Sequence, residues 1–169
     1  QDEFALSKDD VIQFAKENGF YDETNSRQPY ETFYNQNISQ LIGAICLHPQ
    51  TVPVDPEGNG RYRYEVCDFC KDQALYFVKI GKPNDFAYAI DQAMLTLEKC
   101  EAGMGSLTLP GDLAVFPTEF RMVLIFDGRA NMVEKWEDVF SINFLIHLTE
   151  LKRRLSSTDI SLTIDFVYW

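Results

Sequence analysis

Apolar residues recur along this chain with two spacings, and the longer spacing predicts four helices. Ser7 followed by Asp10 is typical of a helix N-cap, and Gly19 ends the apolar pattern that follows. The clearest helical pattern follows Phe86, where apolar residues return every three or four positions as far as Leu97. The spacing predicts helices over residues 7–19, 30–41, 86–97 and 141–155.

Shorter apolar runs, several of them alternating with polar residues, predict strands. These runs cover residues 43–47, 61–69, 74–80, 120–128 and 160–167. The turn-like segment CKDQ separates the second and third runs at hairpin distance, whereas proline and glycine mark residues 49–60 and 102–118 as loops. The predicted order α, α, β, β, β, α, β, α, β describes an α/β domain over residues 1–169, with a mixed central sheet flanked by helices.

Composition and charge narrow the functional classes. The 169 residues are 46% hydrophobic and 24% charged, which is typical of a globular domain. No apolar run approaches the ~20 residues that a membrane span requires. Acidic residues outnumber basic ones by 26 to 15, and the net charge of −11 disfavours a general DNA-coating protein. Four cysteines are few for a secreted scaffold of this length, so we expect a soluble, cytoplasmic domain. A fragment of a longer chain would have a similar composition.

Candidate chemistry is concentrated in the predicted strand pair at 61–80. Glu65, Asp68 and Lys79 supply two carboxylates and an ammonium, the groups that a Mg²⁺-dependent phosphodiester hydrolase needs. In a regular strand Glu65 and Asp68 would point to opposite faces, so only one of them would line a site. Asp68, nearer the strand end, is the better candidate. Lys79 would face the same pocket if the turn sets that register.

Several blocks of the chain resemble a known family. They are YETFYN (30–35), YEVCDFCKDQALYFVKIGK (64–82), DQ (91–92) and WEDVFSINFLIHLTELKRRL (136–155). The blocks look like a sporadically distributed, uncharacterised bacterial family associated with mobile DNA. The order of its motifs is similar to the restriction-endonuclease-like, or PD-(D/E)XK, core, in which the elements follow as α-β-β-β-α-β. This resemblance implies a nuclease-like domain of a bacterial defence or mobile-element protein that either cleaves nucleic acid or binds it without Mg²⁺-dependent hydrolysis.

The resemblance also implies roles for individual residues. Glu31 would be the helix acid, Asp68 the principal metal ligand, Lys79 the cation beside the attacking water and Gln92 a polar group of the supporting helix. Magnesium would be the cofactor, and Glu65, from the strand pair itself and not from the resemblance, is a further candidate ligand. Phe77 departs from the pattern, because it stands where the motif has an acid or a histidine. The alternative is therefore a non-catalytic module that uses the same scaffold for a protein partner; the oligomeric state stays open.

Cysteine spacing offers a competing metal site. Cys67 and Cys70 form a CxxC pair, which with Cys100 and His48 would give four zinc ligands. The pair lies in or beside a strand and lacks the glycine turn of a zinc knuckle, so buried free thiols are the favoured interpretation. A thioredoxin-type role is disfavoured because CDFC does not lead from a strand into a helix.

Three other features have simple structural explanations. His147 lies in a helix with no partner that the sequence can place beside it. The basic cluster at 152–154 lies at a helix C-terminus, where cations interact favourably with the helix dipole, and is also the one tight basic patch for phosphate. Tyr62 and Tyr64 share one face of a predicted strand, where an exposed aromatic platform for bases or a protein is one interpretation, and core packing is the favoured interpretation for most of the aromatic residues.

Overall fold

The computed structural model describes residues 4–55, 60–128 and 141–169. Its α-helices are α1 (Lys8–Glu17), α2 (Tyr30–Ile42), α3 (Ala87–Ala102) and α4 (Ile142–Leu155), and a short 3₁₀ turn (Pro83–Phe86) leads into α3. The strands are β1 (Ile45–Cys46), β2 (Val52–Pro53), β3 (Arg63–Tyr64), β4 (Phe69–Lys71), β5 (Ala74–Gly81), β6 (Leu107–Leu109), β7 (Leu113–Val115), β8 (Glu119–Phe126) and β9 (Ser161–Tyr168).

Five of these strands form a mixed sheet in the order β1-β4-β5-β8-β9. The three long strands β5, β8 and β9 are parallel to one another, whereas β1, β4 and β5 pair antiparallel. Each parallel connection passes through a helix, α3 between β5 and β8 and α4 between β8 and β9. The predicted α/β class, with a mixed sheet flanked by helices, is therefore confirmed.

Two predictions about strands were wrong. The run at 61–69 is not one strand: Arg63–Tyr64 pairs with β2 in a separate ribbon, and only Phe69–Lys71 joins the main sheet. The segments 49–60 and 102–118 are not simply loops, since Val52–Pro53 is a strand of that ribbon and Leu107–Leu109 and Leu113–Val115 form a small hairpin. Both differences come from short strands, whose two or three residues are too few to show a periodic pattern.

Alternation along the long strands divides the core into two halves. On β5, Leu75 and Phe77 face α3 and α4, whereas Tyr76 and Val78 face α1 and α2. β8, the middle one of the three parallel strands, is buried on both faces along most of its length, as the apolar run at 122–126 predicts. The result is a sheet between two helical layers.

Local signals explain where the helices begin and end. Ser7 caps α1 through its side chain, which accepts a hydrogen bond from the Asp10 N–H, and Asp10 returns the contact to the Ser7 N–H. Gly43 ends α2 in the left-handed conformation, with φ of 68°. Ser141 caps α4 through the Phe144 N–H. Within the described residues, no helix combines the length and the apolar character that crossing a membrane demands.

Candidate functional site

The candidate site is built on an unpaired stretch of β5. Because β4 is only three residues long, the backbone N–H groups of Val78 and Ile80 have no strand beside them on that edge. Two carboxylates take the place of the missing strand. Asp68 Oδ2 accepts from the Val78 N–H at 2.8 Å, and Glu31 Oε2 accepts from the Ile80 N–H at 3.2 Å. Backbone hydrogen bonds thus hold two acids from distant parts of the chain side by side.

The segment 65–68 is held in its irregular path from both sides. The Thr96 hydroxyl of α3 donates to the Val66 carbonyl at 2.5 Å, and the Asp68 N–H donates to the Tyr76 carbonyl at 2.8 Å. The Asp68 carbonyl accepts from the N–H groups of Leu47 and His48, at 2.8 and 2.9 Å. These hydrogen bonds position His48, which follows β1, beside Asp68.

His48 faces two acids at once. Its Nδ1 lies 3.0 Å from Glu65 Oε1 and 3.1 Å from Asp68 Oδ1, while its Nε2 lies 3.0 Å from the Thr32 hydroxyl. Asp68 Oδ1 also accepts from Asn35 Nδ2 at 3.1 Å. The interruption of the strand at 65–68 places Glu65 and Asp68 on the same imidazole, so the prediction that only one of them would line the site was wrong.

These side chains could hold a metal ion. Ligand atoms of Glu31, His48 and Asp68 all lie within 4.8 Å of one another. Within the described part of the chain, His48 Nδ1 and Glu65 Oε1 are buried atoms without an aligned hydrogen-bond partner, although the two are close together. Buried polar atoms normally have aligned partners, so the unsatisfied Nδ1 within the converging set, with the unsatisfied Glu65 oxygen beside it, fits a divalent cation.

Burial and charge shift the pKa values of this group. Burial raises the pKa of Asp68, against the opposing effects of His48 and the Val78 N–H, and Glu31 adds to the rise. Burial lowers the pKa of His48, but the contacts with Asp68 and Glu65 outweigh it and raise that pKa to about 10. Without a metal the imidazolium therefore balances part of the negative charge.

Lys79 and Gln92 complete one wall of an open cleft. The Lys79 ammonium lies 3.1 Å from Glu31 Oε2, with both side chains about a quarter exposed. Gln92 reaches the cleft from α3, and its Nε2 is buried without a hydrogen-bond partner among the described residues. The cleft has a volume of about 380 Å³, and Glu31, Glu65, Lys79 and Gln92 all line it. The structure therefore brings together all five site residues named from the sequence.

Phe77 and His48 are the two positions where the structure differs most from the motif. Phe77 is fully buried and packs on Phe120, with ring centroids 5.2 Å apart, so β5 provides no ligand at that position. His48 provides a ligand from outside the motif. Its neighbours Asp68 and Glu65 are 20 and 17 residues away, and the sequence offered His48 only as a member of a zinc cluster. A histidine directly after an edge strand is the one signal that could have pointed to it.

The zinc cluster is not formed. Cys67, Cys70 and Cys100 are buried free thiols, and Cys46 is a free thiol as well. The His48 imidazole faces the carboxylates of Glu65 and Asp68 instead. Burial is the main reason that the pKa values of Cys67, Cys70 and Cys100 are raised, as expected of structural thiols.

The remaining candidates occupy other surfaces. His147 has a partner that the sequence did not reveal, since its Nδ1 lies 2.6 Å from Asp91 Oδ1 on α3. In the basic cluster, Arg153 pairs with Glu150 and Arg154 with Glu101, each at 2.6 Å. These pairings compete with phosphate for the two guanidinium groups.

The expected tyrosine platform is not formed by both rings. Tyr62 is 73% exposed, but Tyr64 packs against the core and lines the cleft. Burial, with Cys67 nearby, raises the pKa of Tyr64 to about 12. Tyr64 is therefore part of the cleft wall.

Comparisons with known proteins returned no matching family model, no similar curated protein and no similar solved structure.

Proposed function

We propose that this chain is a metal-dependent phosphodiester hydrolase with a nuclease-like site at the free edge of β5. One observation carries the proposal: ligand atoms of Glu31, His48 and Asp68 converge within 4.8 Å of one another, and Glu31 joins this buried set to the Lys79 ammonium and to the open cleft that both residues line. Magnesium is the expected ion from the resemblance to the PD-(D/E)XK core. A bound divalent cation would neutralise phosphate charge and lower the pKa of an attacking water.

Each residue has a defined part in this proposal. Glu31 and Asp68 hold the cation with carboxylate oxygens that backbone N–H groups already orient. Lys79, 3.1 Å from Glu31, provides positive charge for a phosphate oxygen whose negative charge grows in the transition state. The buried Gln92 amide donates to the substrate or its water, since it lacks a partner among the described residues. Glu65, which also lines the cleft, would be a further ligand through its unsatisfied Oε1.

The charge of the chain makes the metal necessary for binding a polyanion. Three carboxylates (Glu31, Glu65 and Asp91) line the cleft, the buried Asp68 lies close to Glu31, and the whole chain carries −11. Arg153 and Arg154 are paired with acids, so they offer little attraction to phosphate. A nucleic acid is therefore expected to bind weakly without a divalent ion and more tightly with one.

Cleavage of labelled single- and double-stranded DNA and RNA, with and without Mg²⁺ or Mn²⁺, tests the proposal. Asp68→Asn should lose both metal binding and cleavage. Lys79→Met should keep metal binding and lose about 10²–10³ in rate, the usual cost of removing one charge-stabilising group. Asp165→Asn is the matched control, because Asp165 is a partly buried, ion-paired carboxylate on β9, the far edge strand.

Two results would reject the hydrolase. Equal cleavage by the wild type and by the Asp68 and Lys79 variants would assign the activity to a contaminant. If calorimetric titration with millimolar Mg²⁺ and Mn²⁺ gave no heat of binding, the proposed metal site would be rejected.

A second candidate function is a non-catalytic module that binds a protein partner. Its support is separate from the cleft: Ile142 and Ile146 on α4 are 77% and 61% exposed, and Leu145 beside them is 45% exposed. Large apolar side chains grouped at the surface are typical of protein contacts. Absence of metal binding and of cleavage, together with self-association or partner binding that Ile146→Lys abolishes, would favour this function.

A further inference from the structure

His48 gives the candidate site a nitrogen ligand from a position outside the motif, whereas Phe77 fills the motif's own acid or histidine position. Mg²⁺ prefers an octahedral set of oxygen ligands and keeps several waters, whereas imidazole nitrogen binds first-row transition ions more strongly. Glu31 and Asp68 alone would form an oxygen site. With His48 among the atoms that lie within 4.8 Å of one another, the site becomes a mixed nitrogen and oxygen site.

The orientation of the imidazole supports direct ligation. Histidines that bind metals usually form a hydrogen bond through their other ring nitrogen, which fixes the tautomer and the ring plane. The Thr32 hydroxyl lies 3.0 Å from Nε2, where its oxygen can accept a hydrogen bond from the Nε2 N–H. In the neutral ring that binds a metal, Nδ1 would then carry its lone pair on the side of Asp68 and Glu65. Thr32 comes from α2, directly after Glu31, so one helical turn supplies both a ligand and the group that orients a second ligand.

A purely structural ion pair is the competing explanation. In that arrangement the ring N–H of Nδ1 would point at a carboxylate oxygen. Nδ1 is buried, however, and no aligned acceptor exists for it among the described residues, although two carboxylate oxygens lie 3.0 and 3.1 Å away. Glu65 Oε1 is likewise without an aligned donor. A cation between these atoms would satisfy both.

We propose that His48 Nδ1 is a direct metal ligand, through which the site selects a divalent first-row transition ion over Mg²⁺, with Thr32 as a positioning residue. This inference rests on the metal site of the proposed function, and it names the class of ion that the site takes.

Pulsed EPR of Mn²⁺ bound to the full, untagged chain is the direct test. A coordinated imidazole gives nitrogen modulations, and the chain has only two histidines, His48 and His147. The modulations should persist in His147→Gln and disappear in His48→Gln. His147 is the matched control because it too faces a carboxylate, Asp91, in a different groove.

Calorimetric titration of Mn²⁺, Co²⁺ and Mg²⁺ gives the selectivity. The wild type should bind Mn²⁺ and Co²⁺ more tightly than Mg²⁺, and His48→Gln should weaken Mn²⁺ binding at least about 10-fold while changing Mg²⁺ binding much less. Thr32→Val should lower Mn²⁺ affinity by about 10-fold and alter the nitrogen coupling without removing it, and Thr32→Ser should restore both.

The possible results separate this inference from the hydrolase. Bound Mn²⁺ without nitrogen modulation in either the wild type or His147→Gln would overturn the role of His48, as would an unchanged preference between Mn²⁺ and Mg²⁺ in His48→Gln. Cleavage that depends on Asp68 would survive such a result. Nitrogen modulation together with inert nucleic acid substrates would instead reject the hydrolase and leave the transition-metal site in place.

Discussion

Replacing Asp68 with alanine should destabilise the metal-free protein, because this carboxylate joins three parts of the fold. Asp68 is 2% exposed and accepts hydrogen bonds from the Val78 N–H and the Asn35 amide. Alanine leaves both donors buried without an acceptor, at about 1–3 kcal/mol each. Loss of repulsion with Glu31, which contributes to the raised pKa of Asp68, offsets part of that cost. We expect a net loss of about 3 kcal/mol in the free energy of unfolding.

Urea denaturation in the presence of EDTA measures this change. For a chain of this length, about 3 kcal/mol corresponds to a decrease of roughly 6–12 °C in Tm. Asp165→Ala serves as the control, since Asp165 pairs with Arg121 in a partly buried ion pair and its removal should cost about 1 kcal/mol. A loss below about 1 kcal/mol in Asp68→Ala would refute the view that the carboxylate replaces a strand beside β5.

The same variant separates structural from metal-binding roles. A ligand that binds only the folded state adds about 2.7 kcal/mol to stability when its concentration is 100 times its Kd. Wild type should gain such an increment from Mn²⁺ in a thermal melt, whereas Asp68→Ala and Asp68→Asn should gain none. Equal increments in wild type and variants would place the metal elsewhere.

Three further predictions concern other parts of the structure. Phe77→Glu puts an acid at the motif position. Because the side chain is fully buried against Phe120, this variant should lower the free energy of unfolding in urea by more than about 4 kcal/mol and show no activity. A stable, more active variant would contradict this prediction. Burial raises the pKa of Cys100, so its thiolate fraction is lower in the folded than in the unfolded chain. Iodoacetamide near pH 8 should therefore modify Cys100 far more slowly in the native protein than in the unfolded protein. Equal modification rates in the two states would disprove the burial of this thiol. Thr96→Val should lower stability by about 1–2 kcal/mol and weaken metal binding, because it removes the hydrogen bond to Val66; calorimetry showing unchanged Mn²⁺ affinity would exclude α3 as a support of the site.

The site combines stabilising and destabilising features in one place. Glu31 and Asp68 satisfy backbone groups of β5, and both therefore contribute to the fold. The crowding of Glu65 and Asp68 around one imidazole is unfavourable without positive charge. A divalent cation would relieve that repulsion, which is why metal binding and stability should be linked.

Part of the site could be predicted from local sequence. Asp68 and Lys79 are separated by a hairpin whose turn, Asp72 and Gln73, directly joins β4 to β5, so their proximity follows from short-range pairing. Glu31 was placed beside them through the resemblance, and its contact with Lys79 spans 48 residues. His48 was missed as their partner, because its position depends on the pairing of β1 with β4 and on the irregular path of 65–68.

The helices, the long strands and the mixed α/β class follow from local sequence, since each depends on apolar spacing and on caps such as Ser7 and Gly43. The short β4, the two acids that cover the free edge of β5, the core position of Phe77 and the place of His48 at the site became evident in the folded chain alone. The difference lies in the distance along the chain over which each interaction acts. Periodicity and capping act within a few residues, whereas the site depends on strand register and helix packing between segments that lie far apart in the chain.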